Sequence, residues 1–465
     1  MSSITSKNIL SEYYNQLETE LFQNVLPFWN KYSLDSKNDG FYSCLDSNGE
    51  VYDTRKFMWL NGRQIYMYSL IAYMYNDIEI TQMSNGLLNR ANLLKEALKA
   101  ADFMYKNGVI KVNKNDNENQ SGILYHKVYF SLNSTGKPYH FERKIFSACF
   151  LCLGLGALAG TIHKDNGNND DRDRCLERCI LLLNQIISLS HDPSPLGRDN
   201  SCTGALKTSP MNIPMIILNI LEELQRFGTI KLTADLSINI DFNVEEEEER
   251  CIDEILKHVN FEKQCVFESV LLNNNNNYDD NDNDNDDNID DYMNNYELRH
   301  LNPGHAIEAG WFVLQYAIRK NDMKLHEIAT NMINWSFSIG WDKKHDGILY
   351  FLDSEGKSPP FLEWDMKLWW PHCEAMIAFS MLYEHSLNTK EKSKEDEALK
   401  NFIQVTEYTL KHFSDKDGGG EWYGYLNRQG QVTHRFKGGP YKGCFHVPRA
   451  LLMTHHLIGN ILKKI

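Results

Sequence analysis

Apolar residues recur with helical spacing along most of the chain. Eight segments carry them at positions i, i+3, i+4 and i+7, the pattern of a helix that buries one face. Several of these segments are apolar on most faces, which is typical of helices buried between neighbours. The pattern predicts helices over residues 64–76, 87–108, 174–191, 211–227, 308–320, 323–340, 372–386 and 395–413.

Short strand-like pieces between the helices repeat. Four stretches, starting at Asp39, Ser121, Asp346 and Gly419, each contain an alternating aromatic run, a turn ending in Gly, a polar stretch and an apolar helix. The turn sequences SNG, STG, SEG and RQG are typical of β-hairpins. A recurring unit of a hairpin and a helix pair indicates a repeat architecture.

Six helix pairs closed in a ring account for the 465 residues of the chain. We therefore predict an all-α fold, an (α/α)6 barrel with short β-hairpins at one mouth, as a single domain over residues 1–465. An open solenoid is disfavoured because neither end looks like a polar cap. Two independent domains are disfavoured because no Pro/Gly/Ser-rich linker divides the chain.

Two polar segments stand apart from the helical pattern. Residues Asn273–Asn277 are all Asn, and Asp and Asn dominate the residues that follow. Such a tract buries too little apolar surface to offset its ordering entropy, so we predict a disordered surface insertion at about 273–295. The acidic run Glu245–Glu249 is predicted to form the solvated first turns of a helix.

Charge and targeting signals narrow the function classes. The formal net charge of -15 disfavours nucleic acid and anionic membranes as partners. The N-terminus does not resemble a signal peptide, and no apolar run approaches the roughly 20 residues that span a bilayer. The ten Cys are scattered along the chain, which indicates reduced thiols. We therefore expect a cytoplasmic protein.

The segments where the hairpins meet the helices are unusually polar. In a closed ring these junctions converge at one mouth, where a rigid scaffold positions functional residues. His305 and Glu308 are three residues apart, as are His446 and Arg449, so each pair shares one helix face. A single His or Arg is commonly structural, and the Trp residues could pack in the core or stack on a sugar ring. The candidate site residues are Trp59, Arg63, His305, Glu308, Trp369, His372, Glu374, His446 and Arg449.

Other chemistries find little support in the motifs. There is no HExxH motif, so we expect no metal. The glycine-rich segment 154–160 lies within an apolar helix and lacks the Lys-Ser/Thr ending of a phosphate loop. Cys444 is too close in sequence to His446 for a Cys–His dyad. We therefore expect acid–base chemistry without a cofactor.

Long motifs at these junctions resemble the N-acylglucosamine 2-epimerase family, which is also called renin-binding protein. They are DGFYSCLDSNGEVYD (39–53), WLNGRQIYMYS (59–69), NPGHAIEAGWF (302–312), EWDMKLWWPHCEAMIAF (363–379) and GGPYKGCFHVPRALLM (438–453). The resemblance implies an (α/α)6 barrel that interconverts N-acetylglucosamine and N-acetylmannosamine. It also implies a homodimer and, as in animal members, activation by ATP that is not consumed.

The resemblance also implies roles for single residues. The family's two catalytic histidines match His305 and His446, its arginines match Arg63 and Arg449, and its glutamates match Glu308 and Glu374. Ring opening makes the C2 proton acidic, so that one His removes it while the other delivers a proton to the opposite face. On this hypothesis Arg63 stabilises charge on O1, the glutamates orient the histidines or hold hydroxyls, and His372 assists ring opening.

Three alternative functions are weighed against this hypothesis. An epimerase or isomerase of unsubstituted sugars would use the same barrel. A glycoside hydrolase needs two opposed carboxylates, whereas the junctions are rich in His and Arg. A non-catalytic binding protein would need neither His305 nor His446, yet both lie within intact motifs. We expect no binding of a renin-type protease, since renin is secreted and this chain has the features of a cytosolic protein.

Overall fold

The structure is a computed structural model that describes residues 3–113, 124–196, 208–271, 295–389, 391–415 and 418–465. The Asn/Asp-rich insertion predicted at about 273–295 lies outside the described residues except for Asn295. The start of the second repeat at Ser121 lies outside them as well.

The described residues form helices α1 to α15 in chain order. Their bounds are α1 Ser3–Thr19, α2 Leu26–Tyr32, α3 Met58–Met74, α4 Asp77–Met83, α5 Arg90–Gly108, α6 Phe146–Lys164, α7 Asn169–His191, α8 Asn212–Arg226, α9 Thr229–Asp235, α10 Val244–Leu256, α11 Pro303–Lys320, α12 Met323–Gly340, α13 Trp369–Thr389, α14 Lys392–His412 and α15 His446–Lys464. A π-helix, Glu20–Val25, joins α1 to α2.

The strands are short and lie between the helices. They are β1 Cys44–Leu45, β2 Val51–Asp53, β3 Lys56–Phe57, β4 Val109–Asn113, β5 Leu124–Val128, β6 Ser131–Leu132, β7 Pro138–His140, β8 Thr208–Pro210, β9 Val259–Asn260, β10 Cys265–Val266, β11 Ser269–Leu271, β12 His300–Leu301, β13 Leu352–Asp353, β14 Lys367–Leu368, β15 Tyr425–Leu426 and β16 Val432–His434. All of their pairings are antiparallel among the described residues.

Six helices form a closed inner ring. Each of α3, α6, α8, α11, α13 and α15 packs on the next, and α15 packs on α3. The outer helices α5, α7, α10, α12 and α14 each cover the inner helix that precedes them, while α1 covers α15. This arrangement confirms the predicted (α/α)6 barrel, and the N-terminal helix completes the outer layer beside the last inner helix.

Helices α3 and α6 approach each other closely because glycines line their contact. A Cβ on Gly62 would lie 2.3 Å from the backbone oxygen of Phe150, and a Cβ on Gly154 would lie 2.6 Å from that of Gly62. Helix α6, Phe146–Lys164, is long and apolar enough by length and composition to cross a membrane, which corrects the expectation that no apolar run approaches that length. In the barrel, 83% of the most apolar stretch of this helix is buried, as expected for a core helix of the inner ring.

Three of the four predicted hairpins form at the mouth of the barrel. Strands β1–β2, β6–β7 and β15–β16 pair across turns in which Gly49, Gly136 and Gly430 have φ of 87°, 91° and 81°. The hairpin predicted at the SEG turn is wrong, because β13 pairs instead with β12. Pro359 and Pro360 follow that turn and have no N–H to donate to a returning strand.

A buried Lys–Asp pair recurs in three of the repeats. Each Lys side chain is fully buried and also donates to backbone carbonyls of neighbouring loops, which fixes the hairpin to the barrel. The pairs explain why a Lys recurs in the polar stretch of the repeat. They are Lys56–Asp35 at 2.7 Å, Lys367–Asp342 at 3.4 Å and Lys437–Asp415 at 2.7 Å.

The acidic run is only partly solvated, which corrects its predicted exposure. Glu247 and Glu248 are 5% and 1% exposed on α10. Glu247 pairs with Arg250 on the same helix, and Glu248 lies 2.8 Å from Arg319 of α11. The run begins the helix as predicted, but two of its carboxylates pack between α10 and the inner ring, where the arginines neutralise them.

Candidate active site

A cavity of about 710 Å³ opens at the mouth of the barrel where the inner helices begin. The first turn of every inner helix contributes to its wall, through Trp59, Phe146, Asn212, His305, Trp369 and His446. The predicted junctions therefore meet at one site. Because helix N-termini carry partial positive charge, six of them directed at one end of the barrel favour negative charge that develops there.

His446 begins α15 and is 7% exposed. Its Nδ1 lies 2.7 Å from Glu374 Oε1, which leaves Nε2 for the cavity. Burial lowers the pKa of His446 well below its ordinary value, and the cations of Arg63 and Arg449 lower it further. The imidazole is therefore neutral at neutral pH, the state in which it can accept a proton.

Arg449 lies one turn further along α15 and holds two glutamates together. Its Nη2 donates to Glu308 Oε1 and to Glu374 Oε1, each at 2.7 Å. Trp311 Nε1 donates to the other oxygen of Glu374 at 2.9 Å. The opposite charges of Glu374 and Glu308 outweigh burial and raise the pKa of Arg449. Glu374 is fully buried behind His446, so it orients that histidine rather than lining the cavity.

His305 lies in the first turn of α11 and has a different carboxylate partner. Its Nδ1 is 2.9 Å from Glu268 Oε1, and its backbone N–H donates to Asn302 Oδ1 at 3.2 Å. Burial alone would lower the pKa of His305, but the charge and the hydrogen bond of Glu268 raise it above the ordinary value. The two histidines are therefore shifted in opposite directions, His305 toward the protonated form and His446 toward the neutral form.

Trp370 brings the two histidines into one site. Its ring centroid lies 5.1 Å from that of His305 and 6.0 Å from that of His446. Gly304 allows this approach, since a Cβ there would lie 2.5 Å from the Trp370 ring. The indole is 9% exposed and lines the cavity. It therefore offers a flat apolar surface between the two histidine rings, which suits the apolar face of a sugar.

Arg63 faces the same cavity from α3 within an aromatic cage. Its guanidinium carbon lies 4.6, 3.9 and 4.6 Å from the ring centroids of Trp59, Phe150 and Phe445. Burial lowers the pKa of Arg63 to about 9, although Glu308 raises it. Among the described residues, its Nε has no hydrogen-bond partner. A buried donor of this kind is suited to an oxygen that becomes anionic.

Two tryptophans line the cavity whose role, in the core or in the site, the sequence alone did not decide. Trp59 and Trp369 both contribute to its wall, and the Nε1 of each is buried without an acceptor in the described part of the chain. An unpaired buried N–H costs free energy, so a ligand oxygen would relieve that cost. Their position favours a role in binding over a purely structural one.

Glu308, Glu374 and His446 also offer ligand atoms within 4.8 Å of one another, a set that could hold a metal ion. Arg449, however, bonds both carboxylates and supplies the positive charge between them. A metal would have to displace that guanidinium, so we interpret the cluster as an ion-pair network.

His372 is not part of the cavity, which corrects its predicted role. Its Nδ1 lies 2.6 Å from the carbonyl oxygen of Leu368, and its Nε2 accepts from the N–H of Ile348 at 2.9 Å. Burial lowers its pKa to about 3, so the ring is neutral. Both nitrogens bond the backbone, so none is available to a substrate, and His372 ties the loop before β13 to the start of α13.

Sequence reasoning missed Glu268 as a site residue. It lies 37 residues before His305, just ahead of β11, and contacts the histidine only after the chain returns to the mouth. No periodicity or motif marks it. Trp370 follows the candidate Trp369 directly, but its contact with both histidines depends on the packing of three helices and leaves no signal in the neighbouring sequence.

Known proteins provide an independent comparison. Residues 248–450 match the family model of N-acylglucosamine 2-epimerase (GlcNAc 2-epimerase). The chain is 35% identical over 469 residues to N-acylglucosamine 2-epimerase of Mus musculus, covering 99% of this chain and 95% of the relative. It is 34% identical over 450 residues to that of Homo sapiens, covering 95% and 89%. A solved cellobiose 2-epimerase from Bacillus thermoamylovorans has a similar fold, with a TM-score of 0.67 at 19% identity over 98% of this chain and 100% of that one. The chain therefore belongs to the N-acylglucosamine 2-epimerase family.

Proposed function

We propose that this chain interconverts N-acetyl-D-glucosamine and N-acetyl-D-mannosamine by moving a proton at C2. Membership of the family makes it a carbohydrate epimerase, which is an isomerase. The observation that carries the proposal is the histidine pair in one cavity, with the pKa of His305 raised and that of His446 lowered. Two titratable groups whose pKa values are shifted in opposite directions are suited to act as acid and base.

The single proton held by the two histidines is sufficient for reversible inversion of the configuration at C2. The reactive form on this proposal has the proton on His305 and a neutral His446, as the directions of their pKa shifts favour. The epimer whose C2–H faces His446 loses that proton to it and receives the proton of His305 on the opposite face. The pair then holds its one proton on His446, which is the state required for the reverse reaction. No net acid or base is consumed.

The intermediate between the two transfers is an enolate, formed after the sugar ring opens to the aldehyde. Arg63 is our candidate for stabilising its O1, because its cation is buried and its Nε is unpartnered among the described residues. Charge stabilisation in a site that excludes water is commonly a larger effect than either proton transfer. Glu374 and Glu268 hold His446 and His305 through Nδ1, so that each presents Nε2 to the sugar.

An acylated sugar fits the cavity better than an unsubstituted one. Phe146, Met215 and Ile216 form an apolar part of the wall, at the starts of α6 and α8. An acetyl methyl gains from apolar burial there, whereas a bare hydroxyl or ammonium group does not. A glycosidase is disfavoured because Arg449 binds both Glu308 and Glu374 and thereby takes up their charge.

A proton NMR time course in D2O tests the reaction. The wild-type chain should convert N-acetylmannosamine and N-acetylglucosamine into one another, with one deuterium entering C2 per turnover. Mannose should react at least about a hundredfold more slowly. The variants His305→Ala and His446→Ala should each lose about 10³-fold in kcat/KM, in the range expected for removal of a general acid or base. Near-normal epimerisation by either variant would refute the two-base assignment.

We also propose a homodimer that ATP activates and that resides in the cytoplasm. These properties rest on the resemblance of the motifs rather than on any contact in the barrel. Light scattering of the purified chain should give twice the mass of one chain. Activity should rise when ATP is added, while the ATP concentration stays constant. A monomer, or unchanged activity with ATP, would contradict the corresponding proposal.

A further inference from the structure

The cavity is larger than one amino sugar requires. Its volume is about 710 Å³. A single N-acetylhexosamine occupies roughly 250 Å³ at the packing density of a protein interior. More than half of the cavity therefore stays empty when one sugar lies between His305 and His446.

The spare volume lies on the outer side of the reacting carbons. Of the groups proposed to act on C1 and C2, Arg63 and His446 lie at the buried end and are 9% and 7% exposed, while the side chain of His305 is 27% exposed. The residues at the opposite end of the same cavity are exposed, and Tyr441 among them is 66% exposed. With C1 and C2 at the buried end, C3 to C6 and any group attached to them extend toward the mouth.

Aromatic rings continue from the reacting end to the mouth. Trp369 contacts Tyr425 with ring centroids 5.2 Å apart, and Tyr425 contacts His434 at 5.3 Å. On another side of the cavity, Trp59 contacts Tyr441 at 6.2 Å. All of these residues line the cavity. Exposed aromatic rings that flank a cleft offer the flat apolar surfaces on which a sugar ring stacks.

Charged side chains lie among these rings at the mouth. Glu142 and Lys144 precede α6, and Glu363 lies on the loop before β14. Lys144 and Glu363 are exposed, so they retain contact with water while they face the cavity. A carboxylate accepts hydrogen bonds from sugar hydroxyls and an ammonium donates to them. Apolar rings together with charged hydrogen-bonding groups are the composition of a carbohydrate subsite.

We propose that the mouth, defined by Glu142, Lys144, Glu363, His434 and Tyr441, is a second sugar subsite. It would let the chain epimerise the reducing-end residue of a short N-acetylglucosamine oligosaccharide in addition to the free sugar. The inference rests on the proposed function, because the reaction at C2 is the same. The reducing end opens to its aldehyde, one histidine removes the C2 proton and the other returns one, and the glycosidic bond stays intact.

The test uses N,N′-diacetylchitobiose and N-acetylglucosamine as parallel substrates in D2O. Proton NMR follows the anomeric signals, and mass spectrometry follows deuterium at C2 of the reducing-end residue. Tyr441→Ala should lower kcat/KM for the disaccharide about tenfold and leave that for the monosaccharide within about twofold, since a lost stacking contact of this kind is worth about one factor of ten. Glu363→Gln should lower kcat/KM for the disaccharide alone. Tyr139→Ala is the matched control, because Tyr139 is 65% exposed but lies outside the cavity wall.

The outcomes separate the subsite from the proposed function. Epimerisation of both substrates, with a selective loss for the disaccharide in Tyr441→Ala and Glu363→Gln, supports the subsite. Turnover of the monosaccharide without the disaccharide overturns the subsite and leaves the proposed function standing. Failure on both substrates overturns the proposed function itself. Equal losses on both substrates in Tyr441→Ala and Glu363→Gln would show that the mouth is not a separate subsite.

Discussion

His305 and His446 each lie near the start of an inner helix, yet their surroundings differ. Both lie in the first turn, both contact Trp370, and both hold a carboxylate through Nδ1. Glu268 pairs with His305, whereas Glu374, the carboxylate partner of His446, also pairs with Arg449. The pKa of His305 is therefore raised while that of His446 is lowered.

The difference shows that a carboxylate partner alone does not set the charge of a buried histidine. At His446, Arg449 neutralises Glu374 and Arg63 adds a second cation, so burial dominates. At His305, the carboxylate of Glu268 outweighs burial. One proton is then shared between two groups whose pKa values are shifted in opposite directions. Activity should show a bell-shaped pH profile, with the acid limb set by His446 and the basic limb by His305.

The largest expected effect comes from Arg449, which controls the His446 side. Arg449→Met should lower kcat/KM about 10³-fold and the free energy of unfolding by about 3–5 kcal/mol, because it leaves Glu308 and Glu374 buried without a cation. Urea denaturation and steady-state kinetics measure the two effects. Arg449→Lys, which keeps the charge but loses the forked geometry, should fall between wild type and Met. A Met variant of wild-type stability would contradict the shared-cation role.

Substitution of Arg63 tests how the second cation beside His446 affects the pKa of that histidine. Arg63→Met should lower kcat/KM about 10²-fold, the effect of losing a stabilising donor for the enolate. It should also move the acid limb of the pH profile to higher pH, because Arg63 lowers the pKa of His446. Profiles of kcat/KM between acid and neutral pH measure the shift, with Arg63→Lys as the charge-retaining control. An acid limb that stays in place would exclude Arg63 as a determinant of this pKa.

Substitution of Glu268 tests what sets the pKa of His305. Glu268→Gln should move the basic limb to lower pH, because without the carboxylate burial lowers the pKa of His305. The loss in kcat/KM at neutral pH should be about tenfold, since a smaller fraction of His305 then carries its proton. Glu268→Asp keeps the charge and should keep more of the alkaline activity. If the basic limb of Glu268→Gln matched the wild type, another group would have to set it.

Substitution of His372 should have the smallest effect on activity, in contrast to substitution of His305 or His446. His372→Phe should leave kcat/KM of the folded enzyme within about twofold, since neither ring nitrogen reaches the cavity. Its free energy of unfolding should fall by about 2 kcal/mol, because the carbonyl of Leu368 and the N–H of Ile348 lose their partner. Urea denaturation and kinetics at a temperature where the variant is folded separate the two effects. A 10³-fold loss of activity would restore His372 to the site.

Prediction from the sequence succeeded where the determinants are local. Helix α12 has the predicted bounds of 323–340, and α5, α8 and α14 agree with prediction to within three residues at each end. The start of α13 was placed three residues late, because Trp369, Trp370 and Pro371 carry no helical periodicity of their own. The prediction of the third hairpin was wrong because strand pairing joins distant segments, and β13 pairs with β12 instead of with a strand beyond its own turn.

By itself, the sequence determined the helical barrel, the recurring hairpin turns and the polar junctions that contain His305 and His446, because periodicity, turn chemistry and motifs are local properties. Only the tertiary structure decided which histidines face the cavity. It buried His372 against the backbone and brought Glu268 to His305 across 37 residues of chain. It also set the opposite pKa shifts of His305 and His446. These depend on burial and on charges contributed by distant parts of the chain, and no short stretch of sequence contains them.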